Sequence, residues 1–218
     1  MVLISKEMDS GLNAEKDLSM ITIKPEPLSD GRADRIVEWL SEYCNQNNLS
    51  IIHDARITMK EEYILAHYGG PNKLAEVGKK VIASIRMSNP EAKEKLESMG
   101  FTSMAEGDLG KIIRDKELRD YLGKEFRIMI IAGRDALAKI RSLRGASDPS
   151  VSGKGTIRHE FSSGMSIADV LLYDKPLDNV VHVALNIDEL RAELGLILNT
   201  SPEEALESMV YAKSLIRR

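Results

Sequence analysis

Four side chains in this sequence have the chemistry needed to move a phosphoryl group. Lys24 follows a β-branched run and precedes a proline, and Arg141 lies in a segment with helical periodicity. Arg158 follows a glycine-led turn, and His182 lies within an apolar run. A neutral histidine can act as a nucleophile near neutral pH, and lysine and arginine can neutralise phosphate oxygens. Because phosphoryl transfer depends mainly on positioning and charge stabilisation, the combination points to that reaction.

Taken singly, each of these residues also has an ordinary structural explanation. A lysine at the end of a strand is commonly solvated, and a helical arginine is commonly a surface charge. A histidine among valines, as at His182, is more often a hydrogen-bonded core residue than a catalyst. The argument for chemistry therefore depends on the four residues occurring together.

Four short apolar runs predict the strands that would hold these residues: 19–23, 51–59, 126–131 and 179–184. Segments with helical periodicity separate them. Pro25 and Pro27 predict extended or turn backbone after the first strand. This order is compatible with an α/β (α+β) fold, a ferredoxin-like antiparallel sheet with covering helices on one face and a helical insertion. Such a fold implies no function by itself.

Composition excludes several other classes of protein. The chain has 218 residues, with 30 basic and 34 acidic side chains and a net charge of -4. This mild acidity argues against a nucleic-acid binder, and no apolar run approaches the ~20 residues of a membrane span. The single cysteine, Cys44, excludes an intramolecular disulfide and a thiolate metal cluster. With no secretory signal recognisable, we expect a soluble, cytoplasmic protein that binds neither nucleic acid nor membrane.

The order of the motifs resembles that of the nucleoside diphosphate kinases. The resemblance rests on residues 21–26, 67–68, 155–158 and 179–182. Residues 141–161 and 182–193 also follow the family's pattern without a gap. It implies transfer of the γ-phosphoryl group from ATP or another nucleoside triphosphate to a nucleoside diphosphate, through a phosphohistidine. It further implies Mg²⁺ as cofactor and a homo-oligomer.

The resemblance also implies a role for individual residues. His182 matches the phosphorylated histidine, and Glu193 matches the acid that holds its ring. Six other positions match nucleotide-binding residues of the family: Lys24, Tyr68, Arg141, Ser147, Arg158 and Asn179. The lysine, the serine and the two arginines match phosphate contacts, and the tyrosine matches one that lines the site. The asparagine matches the group that meets a sugar hydroxyl and phosphate.

The chain departs from the family's pattern beside the histidine. The family's Gly-Ser after it is Val183-Ala184, so the serine that links the glutamate to the histidine is missing. His159 replaces a glycine, and no aromatic residue follows Tyr68 before Phe101 to serve as a platform for the base. Two alternatives therefore stay open. One is a nucleotide-binding regulatory protein of the same fold with weak or no turnover, and the other is an interaction module.

Two insertions account for the extra length. We expect an N-terminal extension at 1–17 and a nucleoside diphosphate kinase-like domain at 18–218, with insertions at about 69–118 and 162–178. In the family, the first position forms the nucleotide clamp and the second belongs to a loop used in trimer contacts. The family's usual hexamer or tetramer is therefore not assumed for this chain.

Overall fold

Four strands form one antiparallel sheet in the spatial order β2-β3-β1-β4. They are β1 (Leu18–Ile23), β2 (Ser50–Thr58), β3 (Glu125–Ala132) and β4 (Val181–Val183). β1 pairs with both β3 and β4, and β2 pairs with β3, all antiparallel. The predicted ferredoxin-like sheet is therefore confirmed. The computed structural model describes residues 17–68, 71–201, 204, 205 and 208, without the side chain of Tyr68; most of the predicted N-terminal extension lies outside this part.

Helices surround this sheet along most of the described chain. α1 to α5 are Pro25–Asp30, Arg32–Gln46, Glu61–Tyr68, Pro71–Met87 and Pro90–Ser98, and α6 to α10 are Glu106–Tyr121, Ala136–Arg144, Ile157–Phe161, Ile167–Tyr173 and Ile187–Leu198. Within the described residues, no helix combines the length and the apolar character that crossing a bilayer requires.

The helices cover both faces of the sheet, whereas the sequence predicted cover on one face. Met129 and Ile131 pack with α2 and α7, while the neighbouring Ile130 packs with Leu190 and Leu194 of α10. Since successive residues of a strand point to opposite faces, these contacts lie on opposite sides of the sheet. This double burial explains why β1 and β3 are apolar along most of their length.

The segment after β1 forms a helix, so the prediction of extended or turn backbone there is wrong. Lys24 is extended, as the residue before a proline should be, but Pro25 then starts α1. A proline fits the first helical position because its fixed φ is already helical and its missing N–H has no partner to lose there. Gly31, at a φ of 83°, ends the helix.

Helices α4 and α6, which lie largely within the first predicted insertion, cross at two glycines. A Cβ on Gly78 of α4 would collide with the carbonyl oxygen of Glu106, and one on Gly110 of α6 would collide with that of Leu74. The two backbones can therefore approach this closely only because both positions lack a side chain. The division of the chain into a core domain and insertions itself stays a prediction.

A buried aspartate joins α4 to α9, which lies within the second predicted insertion. The carboxylate of Asp148 accepts hydrogen bonds from the Ser84 hydroxyl of α4 and from the Ile167 backbone N–H at the start of α9. It also accepts from the backbone N–H and the hydroxyl of Ser150. One carboxylate thus holds α4, α9 and the loop after α7 together.

We expect Gly78→Ala and Gly110→Ala each to lower the free energy of unfolding by about 1–3 kcal/mol, because the new methyl group forces α4 and α6 apart. Urea denaturation of the full chain measures this change. Gly107→Ala is the matched control, since it lies on α6 with no heavy atom within 4 Å of its Cβ position. It should leave stability unchanged or raise it by up to about 1 kcal/mol. Equal losses in all three variants would contradict the glycine crossing.

Candidate active site

Most of the predicted chemistry-bearing residues lie around one cleft, where β1 and β4 meet α4 and α6. The cleft has a volume of about 120 Å³. Five of the eight predicted site residues line it: Lys24, Ser147, Arg158, Asn179 and His182. His182 lies on β4, Arg158 lies on α8, and the other three lie just after β1, after α7 and before β4, so residues distant in sequence converge here.

His182 lies at the centre of β4, and its imidazole is held by a buried carboxylate. Nε2 of His182 is 2.8 Å from Oε1 of Glu193 on α10, whose side chain is only 3% exposed. This contact favours the tautomer that carries its proton on Nε2, so that Nδ1 keeps its lone pair. Burial lowers the pKa of His182, although Glu193 opposes this shift. The ring is therefore neutral and nucleophilic near neutral pH.

Glu193 has further support from α3. The Tyr63 hydroxyl donates to Oε2 of Glu193 at 3.4 Å, and Nδ1 of His67 lies 3.4 Å from Oε1. The His67 and His182 rings meet edge to face, with centroids 4.1 Å apart. Burial by itself would raise the pKa of Glu193, but its interactions with His182 and then His67 lower it. The carboxylate therefore stays ionised beside the neutral His182 ring.

Lys24 reaches the cleft from the end of β1 and is already paired there. Its Nζ lies 3.0 Å from Oε1 of Glu117, and both side chains are almost buried, at 6% and 12% exposed. Nζ also lies 4.7 Å from the centroid of the Tyr121 ring. Glu117 and Tyr121 both belong to α6. An anion that binds Lys24 must therefore compete with a carboxylate from the inserted helices.

Arg158 is a buried guanidinium that binds backbone carbonyls. It donates to the carbonyls of Asn179 at 3.0 Å, Ala146 at 2.8 Å and Val181 at 2.7 Å. Burial, with the nearby charge of Arg144, lowers the pKa of Arg158 to about 9, so the group stays protonated at neutral pH. These bonds tie the loop after α7 to the start of β4.

The backbone before His182 is strained. Val180 has a φ of 49°, which is an outlier for a β-branched residue. The strand predicted over residues 179–184 is therefore too long, and β4 begins only at Val181. Arg158 holds the carbonyls on either side, and Lys24 N–H donates to the Val180 carbonyl at 2.9 Å. The surroundings thus hold a conformation that Val180 would not adopt alone.

Comparison with known proteins gives consistent sequence matches over part of the chain. No protein-family model matches. The chain is 32% identical over 93 residues to the nucleoside diphosphate kinase of Pyrococcus horikoshii, or 42% of this chain and 53% of that relative. It is 34% identical over 68 residues to the nucleoside diphosphate kinase of Helicobacter pylori, which is 31% of this chain and 42% of that relative. The chain therefore spans about half the length of the curated relatives it matches.

Solved structures extend the likeness to most of the fold. An NDP kinase from Pyrobaculum aerophilum superposes with a TM-score of 0.64 at 20% identity, over 82% of this chain and 93% of the other. The nucleoside-diphosphate kinase from Borrelia burgdorferi, solved as a transition state mimic with bound vanadate and ADP, superposes with a TM-score of 0.56 at 15% identity. The superposition covers 81% of this chain and 83% of the other.

The chain is similar to nucleoside diphosphate kinases in sequence over part of its length and in fold over most of it. The resemblance carried by its motifs is thereby confirmed, and so is the fold that the resemblance implies. Relative to the nucleoside diphosphate kinase pattern, the serine beside the histidine is absent. In this structure Tyr63 and His67 contact Glu193 instead, so α3 supplies support for the carboxylate. Their spacing of four residues on one helix was the available signal in the sequence.

Two of the predicted residues whose side chains the structure describes, Glu193 and Arg141, are not among those that line the cleft. Glu193 lies behind His182. Arg141 is exposed, and its guanidinium donates to the Leu185 carbonyl at 3.4 Å. The side chain of Tyr68, the last residue of α3, lies outside the described part of the chain. The roles of these residues in nucleotide binding stay predictions.

Sequence reasoning missed several charged residues that line the cleft. Arg144 follows Arg141 by one helical turn and donates to the Val183 carbonyl at 3.3 Å. Lys73 and Lys80 of α4 also line the cleft. Their separation of seven residues places them on one helical face, but only the folded structure shows that this face meets the site. Phe101 packs into the core of the inserted helices.

We expect two neighbouring substitutions to move the pKa of His182 in opposite directions. Glu193→Gln removes a carboxylate that favours the charged ring, so the pKa should fall further. His67→Ala removes a like charge that disfavours it, so the pKa should rise. NMR titration of the imidazole nitrogens measures both shifts. His159→Ala, whose ring contacts the Ser152 carbonyl, should leave the value unchanged. Shifts of the same sign in both variants would contradict this electrostatic arrangement.

Proposed function

We propose that this protein is a nucleoside diphosphate kinase that works through a phosphohistidine on His182. The observation that carries the proposal is the His182–Glu193 contact, which engages Nε2 within a cleft rich in cations. The family resemblance supports it, and so does the related Borrelia burgdorferi structure, in which vanadate and ADP are bound. Because the sequence matches span only about half of the curated relatives, the activity is proposed rather than transferred from them.

In the first half-reaction, the Nδ1 lone pair of His182 attacks the γ-phosphorus of a nucleoside triphosphate. The new P–N bond forms as the bond to the β,γ-bridging oxygen breaks, and the nucleoside diphosphate leaves with that electron pair. The proton stays on Nε2 and remains hydrogen-bonded to Glu193. The Glu193 carboxylate stabilises the positive charge that develops on the ring. Lys24 and Arg158 would offset charge on the phosphate oxygens.

In the second half-reaction, a terminal phosphate oxygen of an acceptor nucleoside diphosphate attacks the phosphohistidine. The P–N bond breaks, its electron pair returns to Nδ1, and a new nucleoside triphosphate leaves. Asn179 is suited to orient the nucleotide, because its Oδ1 is buried and has no hydrogen-bond partner among the described residues. A nucleotide hydroxyl could supply that partner.

The donor set of the cleft fits Mg²⁺ held mainly by nucleotide phosphates. Among the described residues, the carboxylates that line the cleft are Glu117 and Glu189, which pair with Lys24 and Lys73 at 3.0 and 2.8 Å. Mg²⁺ commonly keeps several waters and binds through substrate phosphates. When bound, it would neutralise charge on the phosphate oxygens. From the family resemblance we also propose a homo-oligomeric, cytoplasmic enzyme.

A second candidate function is a nucleotide-binding regulatory protein with weak turnover. Two observations favour it: the pairing of Lys24 with Glu117, and a cleft of only about 120 Å³. Ligand pockets commonly reach about 300–1,000 Å³, so a nucleotide requires some opening of the inserted helices. Either nucleotide-binding function predicts that Mg-ADP raises the melting temperature, whereas an interaction module would not respond.

Incubation with radiolabelled ATP and no acceptor should leave one phosphoryl group per chain. The label should be lost in acid and kept in base, because a phosphoramidate has that stability pattern. His182→Ala should abolish both labelling and ATP–ADP exchange. His159→Ala should keep the label, since its half-exposed ring lies on α8 and contacts a backbone carbonyl. Label that survives in His182→Ala would disprove the mechanism, and binding without any label would favour the regulatory candidate.

We expect Glu117→Gln to strengthen Mg-ADP binding roughly tenfold, about 1.4 kcal/mol, because it removes the carboxylate that competes for Lys24. The same change should lower the melting temperature of the free protein, since the almost buried lysine loses its charged partner. Calorimetric titration and thermal unfolding measure the two effects. Glu106→Gln, on the same helix with a 43% exposed side chain, is the control and should change neither. Unaltered affinity in Glu117→Gln would show that the ion pair does not compete with nucleotide.

A further inference from the structure

Helix α4 places one of its faces against the cleft. Lys73, Val77, Lys80 and Val81 of this helix all line the cleft. Their spacing of four, seven and eight residues is that of a single helical face. Because α4 lies within the predicted first insertion, the family resemblance assigns these side chains no role.

The cleft concentrates positive charge. The cations that line it within the described chain are Lys24, Lys73, Lys80, Arg144 and Arg158. Two of them are neutralised by carboxylates that also line the cleft. Glu117 pairs with Lys24 at 3.0 Å, and Glu189 pairs with Lys73 at 2.8 Å.

The other three cations have no carboxylate partner among the described residues. Arg158 and Arg144 donate to backbone carbonyls, which satisfy their N–H groups without cancelling their charge. Lys80 makes no hydrogen bond or ion pair with any residue that the structure describes. Burial, followed by the charges of Lys73, Arg144 and Arg158, lowers the pKa of Lys80, and the opposing effect of Glu76 is weaker. These like charges repel one another in the free protein.

We propose that Lys80 and Arg144 bind the polyphosphate of the nucleotide. A di- or triphosphate carries several negative charges and offers many acceptor oxygens, so it relieves the repulsion among three convergent cations. Lysine contributes a point charge, and arginine contributes a planar fork. His182 lines the same cleft, which brings this anion to the nucleophile. The identity of the anion rests on the proposed kinase function, whereas the anion site itself rests on the charges.

The inserted helix therefore adds a phosphate-binding group to the site. Lys24 is partly occupied by Glu117 of α6, and Arg141 lies outside the lining. Lys80 and Arg144 supply unneutralised charge in the same cleft. The first insertion thus contributes both a carboxylate that competes with phosphate and a lysine that attracts it.

The test is calorimetric titration of the full-length chain with inorganic tripolyphosphate and, separately, with ADP. Lys80→Gln and Arg144→Gln should each raise the Kd for tripolyphosphate by about 10- to 100-fold, the scale of a lost charged hydrogen bond. Lys79→Gln is the matched control. Lys79 is next to Lys80 in sequence, but its side chain is 64% exposed and its Nζ lies 3.9 Å from Oε2 of Glu106. Its Kd should change by less than about twofold.

A stability measurement separates ligand binding from a structural role. Removing Lys80 relieves repulsion in the free protein, so Lys80→Gln should keep or raise the melting temperature. A lower melting temperature together with unchanged tripolyphosphate affinity would show that Lys80 is structural and overturn the proposal.

The remaining outcomes distinguish this proposal from the kinase function. If the Lys80→Gln and Arg144→Gln variants bind tripolyphosphate as tightly as the wild-type protein does, the proposal fails. Labelling of the wild-type histidine by ATP would still be expected in that case. If ATP never labels the wild-type protein but Lys80-dependent tripolyphosphate binding is present, the kinase function fails and the anion site stands. If the wild-type protein binds neither tripolyphosphate nor ADP, both fail.

Discussion

The arrangement of the site depends on one buried cation, the Arg158 guanidinium. A buried charge is tolerated only when its hydrogen-bonding groups are satisfied, and here three backbone carbonyls satisfy them. Those carbonyls belong to two separate segments, the loop after α7 and the approach to β4. Because they converge on one planar group, Val180 can keep its left-handed backbone and His182 follows in a fixed position. The His182 ring is thus placed by a side chain that is 24 residues away in sequence.

Charge balance distinguishes this cleft from a simple cation-lined pocket. Helix α4 brings Lys73 and Lys80, and α6 brings Glu117, to a cleft that several other basic side chains also line. Some of these charges cancel within the protein, while Lys80 and the two arginines do not. The free protein therefore stores electrostatic repulsion that an anion of suitable shape can release. Under the proposed anion site, affinity for a polyphosphate depends on α4 and α6 as well as on the motif residues.

Much of the fold could be predicted from local patterns. The β-branched runs identified the strands, and the motif residues around Arg158 and His182 converge as their resemblance implies. Local patterns gave wrong predictions where a residue's position in the fold decides its backbone conformation against the usual preference of that residue type. Pro25 starts a helix because it stands at the first helical position, and Val180 interrupts a run that reads as a strand because Arg158 and Lys24 hold its neighbours. Two short helices, α8 and α9, were not predicted, because the sequence around them is polar and rich in turn-forming residues.

The least predictable part of the site comes from contacts between distant segments. Glu117, Tyr63 and Lys80 reach the cleft through the folding of α3, α4 and α6, and periodicity shows which residues share a face but not what that face meets. Asp148 is another residue whose contacts with distant segments could not be predicted from the sequence. Its buried carboxylate joins α4 and α9 to the loop that carries Ser147, so these two helices are not independent of each other. Removing either helix would take a donor away from this buried acid, so α4 and α9 each contribute to the stability of the other.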